Sequence, residues 1–158
     1  MDVTFKTAEG RFNYRVCAII INNEKLLVMK DERSPYYYLP GGRVKLHETA
    51  ENAILRELKE EMNIDATIER PLWLNQSFFV EDVNNEKYHE ICLYFLIDIR
   101  KTNFPVTENA IELYEKNKKL IFEWLRFEEL EKQYLYPHFI KKEIFSIPNE
   151  LKIVSEYK

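Results

Sequence analysis

The 158-residue sequence predicts an α/β fold, a mixed β-sheet covered by helices on both faces. Three observations carry that expectation. Period-two alternation opens the chain, one amphipathic helix with its own capping residues occupies 49–62, and further β-rich runs follow, with shorter helical stretches at the end. An apolar share of 46 % and an aromatic share of 14 % supply a core. A chain of this size buries roughly 70 % of its unfolded surface and needs no disulfide or structural metal. No repeat, low-complexity tract or linker interrupts it, so one domain over residues 1–158 is expected.

Phe12, Tyr14, Val16, Ala18 and Ile20 alternate with Arg11, Asn13 and Arg15 before the run turns wholly apolar, as in a strand entering a buried sheet. Asn22-Asn23 supplies a turn, because Asn tolerates positive φ, and 26–29 return as a second strand. Residues 31–36 read as a polar loop and 37–39 as a short strand, and Pro40-Gly41-Gly42 breaks the chain. After the helix, 66–80 are β-rich, with Pro71 at an edge or a break since proline cannot donate to a ladder. Residues 82–85 form a turn, 88–99 a long β-rich run, and 109–118 a helix or an ordered loop. The last strong strand is 120–125, and 127–132 and 137–145 are helical.

The net charge of −4 excludes a general nucleic-acid binder, whose affinity comes from clustered Lys and Arg. Cys17 and Cys92 have neither CxxC nor metal-ligand spacing and read as core thiols of a reducing compartment. The longest early apolar run, 16–21, is far too short to span a bilayer, so no membrane association is expected and the location is cytoplasmic.

The chemistry concentrates between Gly41 and Ile64. Two of the three glycines stand side by side at Gly41 and Gly42, where missing Cβ atoms let a ligand approach the backbone. Thr49 is a good N-cap, and Glu51 in the first turn suits the helix dipole. On a wheel of ~100° per residue, Ala50, Ala53, Ile54 and Leu58 form the inward stripe. Glu57 and Glu61 fall in its middle and Glu60 at its edge. Only Glu60 has a cation three or four places away, Arg56. Crowded carboxylates repel, and burial sharpens the conflict. A divalent cation removes it, and hard carboxylate oxygens suit Mg²⁺ or Mn²⁺ rather than Zn²⁺.

This segment resembles the signature of the Nudix hydrolases: Gly42, Glu48, Arg56-Glu57-Leu58, Glu60-Glu61 and Ile64 stand at the family's spacing. One position departs, Asn63 where the family has Gly. Asn is the next best residue for a left-handed helix end. The resemblance implies a Nudix α/β/α sandwich around a mixed sheet, and metal held by Glu57, Glu60, Glu61 and the Gly41 carbonyl. It makes Glu57 the first choice for general base, with Arg56 orienting a neighbouring carboxylate and Glu48 structural. The implied reaction is metal-dependent hydrolysis of a phosphoanhydride bond by water, in a nucleoside diphosphate linked to another group or in a nucleoside triphosphate. The alternative is a Nudix-fold regulatory module that binds a nucleotide without turnover, but such proteins usually lose box glutamates and this chain keeps them. A homodimer is compatible with either.

Weaker signals surround the box. Arg33, Lys30 and Arg43 flank the glycine pair as candidate phosphate ligands. Tyr36, Tyr37, Tyr38, Phe78 and Phe79 are candidates for stacking a base or for core. Glu90 is a candidate outer metal ligand or substrate contact, and Glu108, Glu112 and Glu115 compete as the acid outside the box. His47 and His138 carry no pattern and are expected to be exposed. The proline that some ADP-ribose hydrolases carry about fifteen residues past the box is replaced here by Phe79.

Overall fold

The alternation near the N-terminus becomes a ten-residue strand, and two sheets grow around it. The computed structural model describes residues 1–157; Lys158, the last residue of the expected domain, lies outside the described residues. The strands are β1 (Thr4–Thr7), β2 (Gly10–Ile19), β3 (Ile21–Asn22), β4 (Lys25–Asp31), β5 (Gly41–Arg43), β6 (Thr67–Val80), β7 (Lys87–Asp98), β8 (Ala110–Glu115), β9 (Lys118–Arg126) and β10 (Lys152–Tyr157). Helix α1 (Ala50–Met62) lies between β5 and β6, and α2 (Ile140–Glu143) follows a 3₁₀ helix over Phe127–Lys132.

One sheet runs β1-β2-β7-β6-β10, with β5 also paired to β2; the other runs β3-β4-β9-β8. The pairs β2/β7 and β6/β10 are parallel and the other pairs antiparallel, so the first sheet is mixed. Because side chains alternate along a strand, β2 serves two cores. Val16 and Ala18 join Ala53, Ile54 and Leu58 of α1 with Leu27, Met29, Phe122 and Trp124 of the second sheet. Cys17 and Ile19 join Trp73, Tyr94, Leu130, Ile140 and Ile144 on the other side. Helices on both faces complete the α/β/α arrangement, and each fully buried Leu or Ile contributes roughly 1.5–3 kcal/mol. Among the described residues no helix is long and apolar enough to cross a membrane.

Several local expectations need correction. Residues 110–115 are strand β8 rather than a helix or loop: Ile111 and Leu113 turn inward between exposed Ala110, Glu112 and Tyr114, and Lys116-Asn117 close a hairpin with positive φ. The Glu-rich composition masked that alternation. Pro40-Gly41-Gly42 does not simply break the chain, since Gly41–Arg43 pair with Arg15–Cys17 as β5. Residues 37–39 form no strand; Tyr37 and Tyr38 make isolated bridges to Leu135 and Met29. The hairpin after β3 turns at Asn23-Glu24, one place later than expected. Strand β9 is not the last, because β10 adds parallel to β6, and β1 was also unforeseen. Both lie at sheet edges and bury little, so they leave a weak periodic signal. Pro71 does sit at a register shift in β6.

Candidate metal and substrate site

The acid-bearing helix is fixed at both ends by its own sequence. The Thr49 side chain accepts from the Asn52 amide at 3.1 Å, and Asn63 takes φ 54°, ψ 42° while its N–H reaches Lys59 O at 3.0 Å. Strand β5 fits between β2 and the helix because its glycines leave room on both sides. A Cβ on Gly42 would stand 2.4 Å from the Glu57 carboxyl carbon, and one on Gly41 would stand 2.1 Å from Val16 O.

Glu61 is the most unusual group on the helix. It is 9 % exposed, and one carboxylate oxygen accepts from the Gly41 amide at 3.0 Å. Burial pushes its carboxyl well above the ordinary value, Glu57 and Glu115 add like charge, and the Gly41 bond only partly offsets them. Burial also raises Glu57, which is half-buried, against the pull of Arg56. Glu60 is exposed and lies 3.5 Å from the Arg56 guanidinium.

Arg56 joins these groups. It donates to both oxygens of Glu48 at 2.8 and 2.9 Å, to Glu57 at 2.9 Å and to Arg43 O at 3.1 Å. Its hydrogen bonds push the Glu48 carboxyl down to about 2 despite some desolvation. The absence of a cation at helical spacing from Glu57 therefore misled: its partner is the adjacent residue. Among the described residues no three His, Cys, Asp or Glu side chains converge into a ready-made metal cage. Arg56 instead touches Glu57 and Glu60, while Glu61 sits deeper against Gly41.

A cavity of about 780 Å³ opens beside this region. Its floor is the face of the first sheet opposite α1, and register places polar residues there in rows. Asn13, Glu90, Ser77 and Glu156 stand side by side on β2, β7, β6 and β10; Arg15, Cys92 and Asn75 form the next row. Tyr36, Tyr38, Phe79, Tyr88, Tyr94 and Tyr136 furnish aromatic walls. In the sequence Arg15 is only one polar position of an alternating strand. Burial works against its charge, but Glu90 and the nearby Cys17 and Cys92 thiols hold its pKa above the ordinary arginine value. Its charge also reaches Glu57 and Glu61, so it links the acid helix with the cavity.

The other candidates separate. Arg43 and Glu90 line the cavity, whereas Arg33 lines a neighbouring groove with Glu115 and Lys118. Lys30 lies over the Tyr37 ring at 4.8 Å, and the Tyr37 hydroxyl donates to Glu123. Phe78 stacks on Tyr157, away from the cavity lining. Of the three acids after the box, Glu115 acts on Glu61, Glu112 pairs with Lys119 at 2.6 Å, and Glu108 is exposed. His47 and His138 are exposed. The two cysteines are neighbours, with Sγ atoms 3.6 Å apart, and both are free. They sit diagonally on β2 and β7, which puts their Cα atoms about 8 Å apart, farther than a disulfide bridges without backbone movement.

The donor set fits a hard divalent cation. It consists of carboxylates and main-chain oxygen, and Glu61 is a buried carboxylate whose charge the Gly41 amide and the nearby Arg15 only partly compensate.

An acid helix laid across a glycine strand, inside an α/β/α sandwich, defines the class. The NUDIX domain family matches residues 11–144, and the chain belongs to that family. It is 28 % identical over 126 residues to an ADP-ribose pyrophosphatase of Methanocaldococcus jannaschii, a match covering 71 % of this chain and 72 % of that one. The fold resembles a MutT protein from Bacillus halodurans, with TM-score 0.59 and 13 % identity over 92 % of this chain and 90 % of that one. It also resembles an ADP-ribose pyrophosphatase from Streptococcus suis, with TM-score 0.56 and 14 % identity over 92 % and 98 %.

Proposed function

We propose that this protein hydrolyses a phosphoanhydride bond in a nucleoside diphosphate linked to another group, or in a nucleoside triphosphate, using Mg²⁺ or Mn²⁺. The observation that carries the reading is Glu61, a buried carboxylate beside Glu57 and Glu115 that no ion pair among the described residues neutralises, next to a large aromatic-walled cavity. Glu57, Glu60, Glu61 and the Gly41 carbonyl would hold the metal. When bound, it supplies positive charge for the diphosphate oxygens and acidity for a water.

The chain's own residues do the rest. Glu57, raised by burial, takes the proton from the attacking water. Arg56 orients that carboxylate through its 2.9 Å bond, and Glu48 holds Arg56 in place with two more. Arg43 and Arg15 line the cavity from paired positions of β5 and β2 and would meet phosphate oxygens there. Arg33 is a more distant contact, from the adjoining groove. No covalent intermediate is required; positioning and electrostatics supply the rate.

The test is turnover of diphosphate substrates in heavy-oxygen water with Mg²⁺ or Mn²⁺. One heavy oxygen should appear in a phosphate product, with no phosphoryl-enzyme on quenching. Glu57→Gln should lower kcat by roughly 10²-fold or more while the fold persists. A near-normal kcat would move the base to Glu115. A wild-type protein inert on every diphosphate would make the chain a nucleotide-binding module.

A further inference from the structure

We propose that an aromatic row on the first sheet, on the face opposite the cavity, is a homodimer interface where the row meets the same row of a second copy.

Register builds the row. Phe5 of β1 stands opposite Phe12 of β2, Phe12 opposite His89 of β7, His89 opposite Phe78 of β6, and Phe78 opposite Tyr157 of β10. Five rings thus form one line across the sheet, with centroids 5.3, 5.6, 4.6 and 4.9 Å apart in that order. Phe12, His89, Phe78 and Tyr157 each adjoin a residue of the cavity row Asn13, Glu90, Ser77 and Glu156. Alternation therefore puts the line on the other face of the sheet. It is open there: Phe5 is 57 % and Tyr157 80 % exposed, His89 is exposed, and Phe12 and Phe78 are half-buried. Exposed Val80 and Ile153 share the face, two places from Phe78 and four from Tyr157. Strand β10 reverses the usual pattern, with Ile153 and Tyr157 outward and Glu156 turned in against Asn75. A contiguous apolar surface of this kind marks a contact.

The rings also select what covers them. Phe5 and Phe12 lie within 4° of parallel, and Phe78 and Tyr157 within 14°. Rings stacked along the line turn their edges outward, whereas a nucleic-acid base needs an open ring face. The net charge of −4 also works against a phosphate backbone or an anionic membrane. A protein surface fits, and the order of the rings points to this chain itself. The row reads Phe, Phe, His, Phe, Tyr, nearly the same from either end, with His89 on the central strand. A two-fold axis along β7, between two facing sheets, lays Phe5 on the partner's Tyr157, Phe12 on the partner's Phe78 and His89 on its own copy. The area is adequate. At ~200 Å² for a fully exposed aromatic, Phe5 and Tyr157 alone offer about 270 Å². That is roughly a third of the ~800 Å² each partner contributes to a stable interface. Because the cavity lies on the opposite face, it stays open in such a pair.

The test is sedimentation velocity of the whole protein over a concentration series, which should show a monomer–dimer equilibrium. Tyr157→Glu and Ile153→Lys should each raise the dimer dissociation constant at least ~30-fold. Far-UV circular dichroism should not change, since both side chains are mostly exposed. Val83→Glu, at a 91 % exposed position on the β6–β7 turn, should leave the dimer intact. Cross-linking with a short bismaleimide tests the axis. Phe5→Cys mixed with Tyr157→Cys should give a linked dimer, and neither variant alone should. A monomer at every concentration overturns the proposal, including one that floats with anionic vesicles and so gives the face to a membrane. A dimer untouched by Tyr157→Glu and Ile153→Lys overturns it too, as does linkage of Phe5→Cys or Tyr157→Cys to itself without a mixed product.

Discussion

Replacing Glu61 by Gln should separate what this carboxylate does for metal from what it costs the fold. The Gln side chain keeps an oxygen for the Gly41 amide at 3.0 Å but cannot ionise. In wild type the folded carboxyl lies well above its ordinary value of 4.5. Its contribution to stability is therefore complete below that value and is lost as pH climbs through the raised folded value, by about 1.4 kcal/mol per unit of difference. Metal-free Glu61→Gln should lack that loss and melt higher than wild type at pH 8. Metal reverses the comparison. At a concentration 100 times its dissociation constant, Mn²⁺ stabilises wild type by about 2.7 kcal/mol. At about 2–4 °C per kcal/mol for a chain of this length, that is roughly 5–11 °C in Tm. The variant should shift by less than about 2 °C. Thermal melts from pH 4 to 9, with and without Mn²⁺, measure all four quantities. Equal Mn²⁺ shifts would remove Glu61 from the metal site. A variant less stable than wild type at pH 8 without metal would show that the buried charge is compensated by something other than the Gly41 amide.

Two further expectations follow from the same helix. Asn63→Val should cost about 1–2 kcal/mol, because φ 54° is strained for a β-branched residue, whereas Asn63→Gly should be neutral or slightly stabilising in thermal melts. Glu48→Gln should destabilise by ~1–2 kcal/mol after allowance for solvent screening. Because the folded Glu48 carboxyl is held at about 2 against an ordinary 4.5, that difference should be present above pH 4.5 and fade as pH falls toward 2 in acid titration.

What was legible in the sequence follows physical periodicity. The helix, its two caps and its inward acids were readable because each depends on residues within one or two turns: Thr49 with Asn52, Asn63 with Lys59, Ala53 beside Glu57 and Glu61. Strand β2 was readable because Phe12 and Tyr14 alternate with Arg11, Asn13 and Arg15 before a run over 16–19 that is buried on both faces. The cavity was not. Its floor is assembled from Asn13 and Arg15, Asn75 and Ser77, Glu90 and Glu156, and these meet only through the registers of four strands. Arg15 looked like any solvent-facing position of an alternating strand, and no local rule tells a residue facing water from one facing a ligand cavity. Glu115 could not be ranked above Glu112 without knowing that 110–115 form a strand, since that alternation is what turns Glu115 inward and Glu112 outward.

The short strand β5 is where these two levels meet. It pairs Gly41, Gly42 and Arg43 with Cys17, Val16 and Arg15, so one three-residue segment touches the acid helix on one side and the cavity on the other. At Gly41 the amide holds Glu61; at Gly42 the absent Cβ leaves space for the Glu57 carboxyl; at Arg43 the carbonyl accepts from Arg56 while its side chain lines the cavity. Each of these functions uses a different part of the residue, namely the N–H, the missing side chain, and the C=O with its guanidinium. A substitution at Gly42 therefore cannot be absorbed by relaxing β5 outward, because the same backbone is clamped to β2 by ladder hydrogen bonds and to α1 through Glu61 and Arg56. The Glu57 carboxylate would have to move instead. On this argument Gly42 is conformationally unremarkable, with no positive φ, and is required only because its neighbour across the gap is the proposed base.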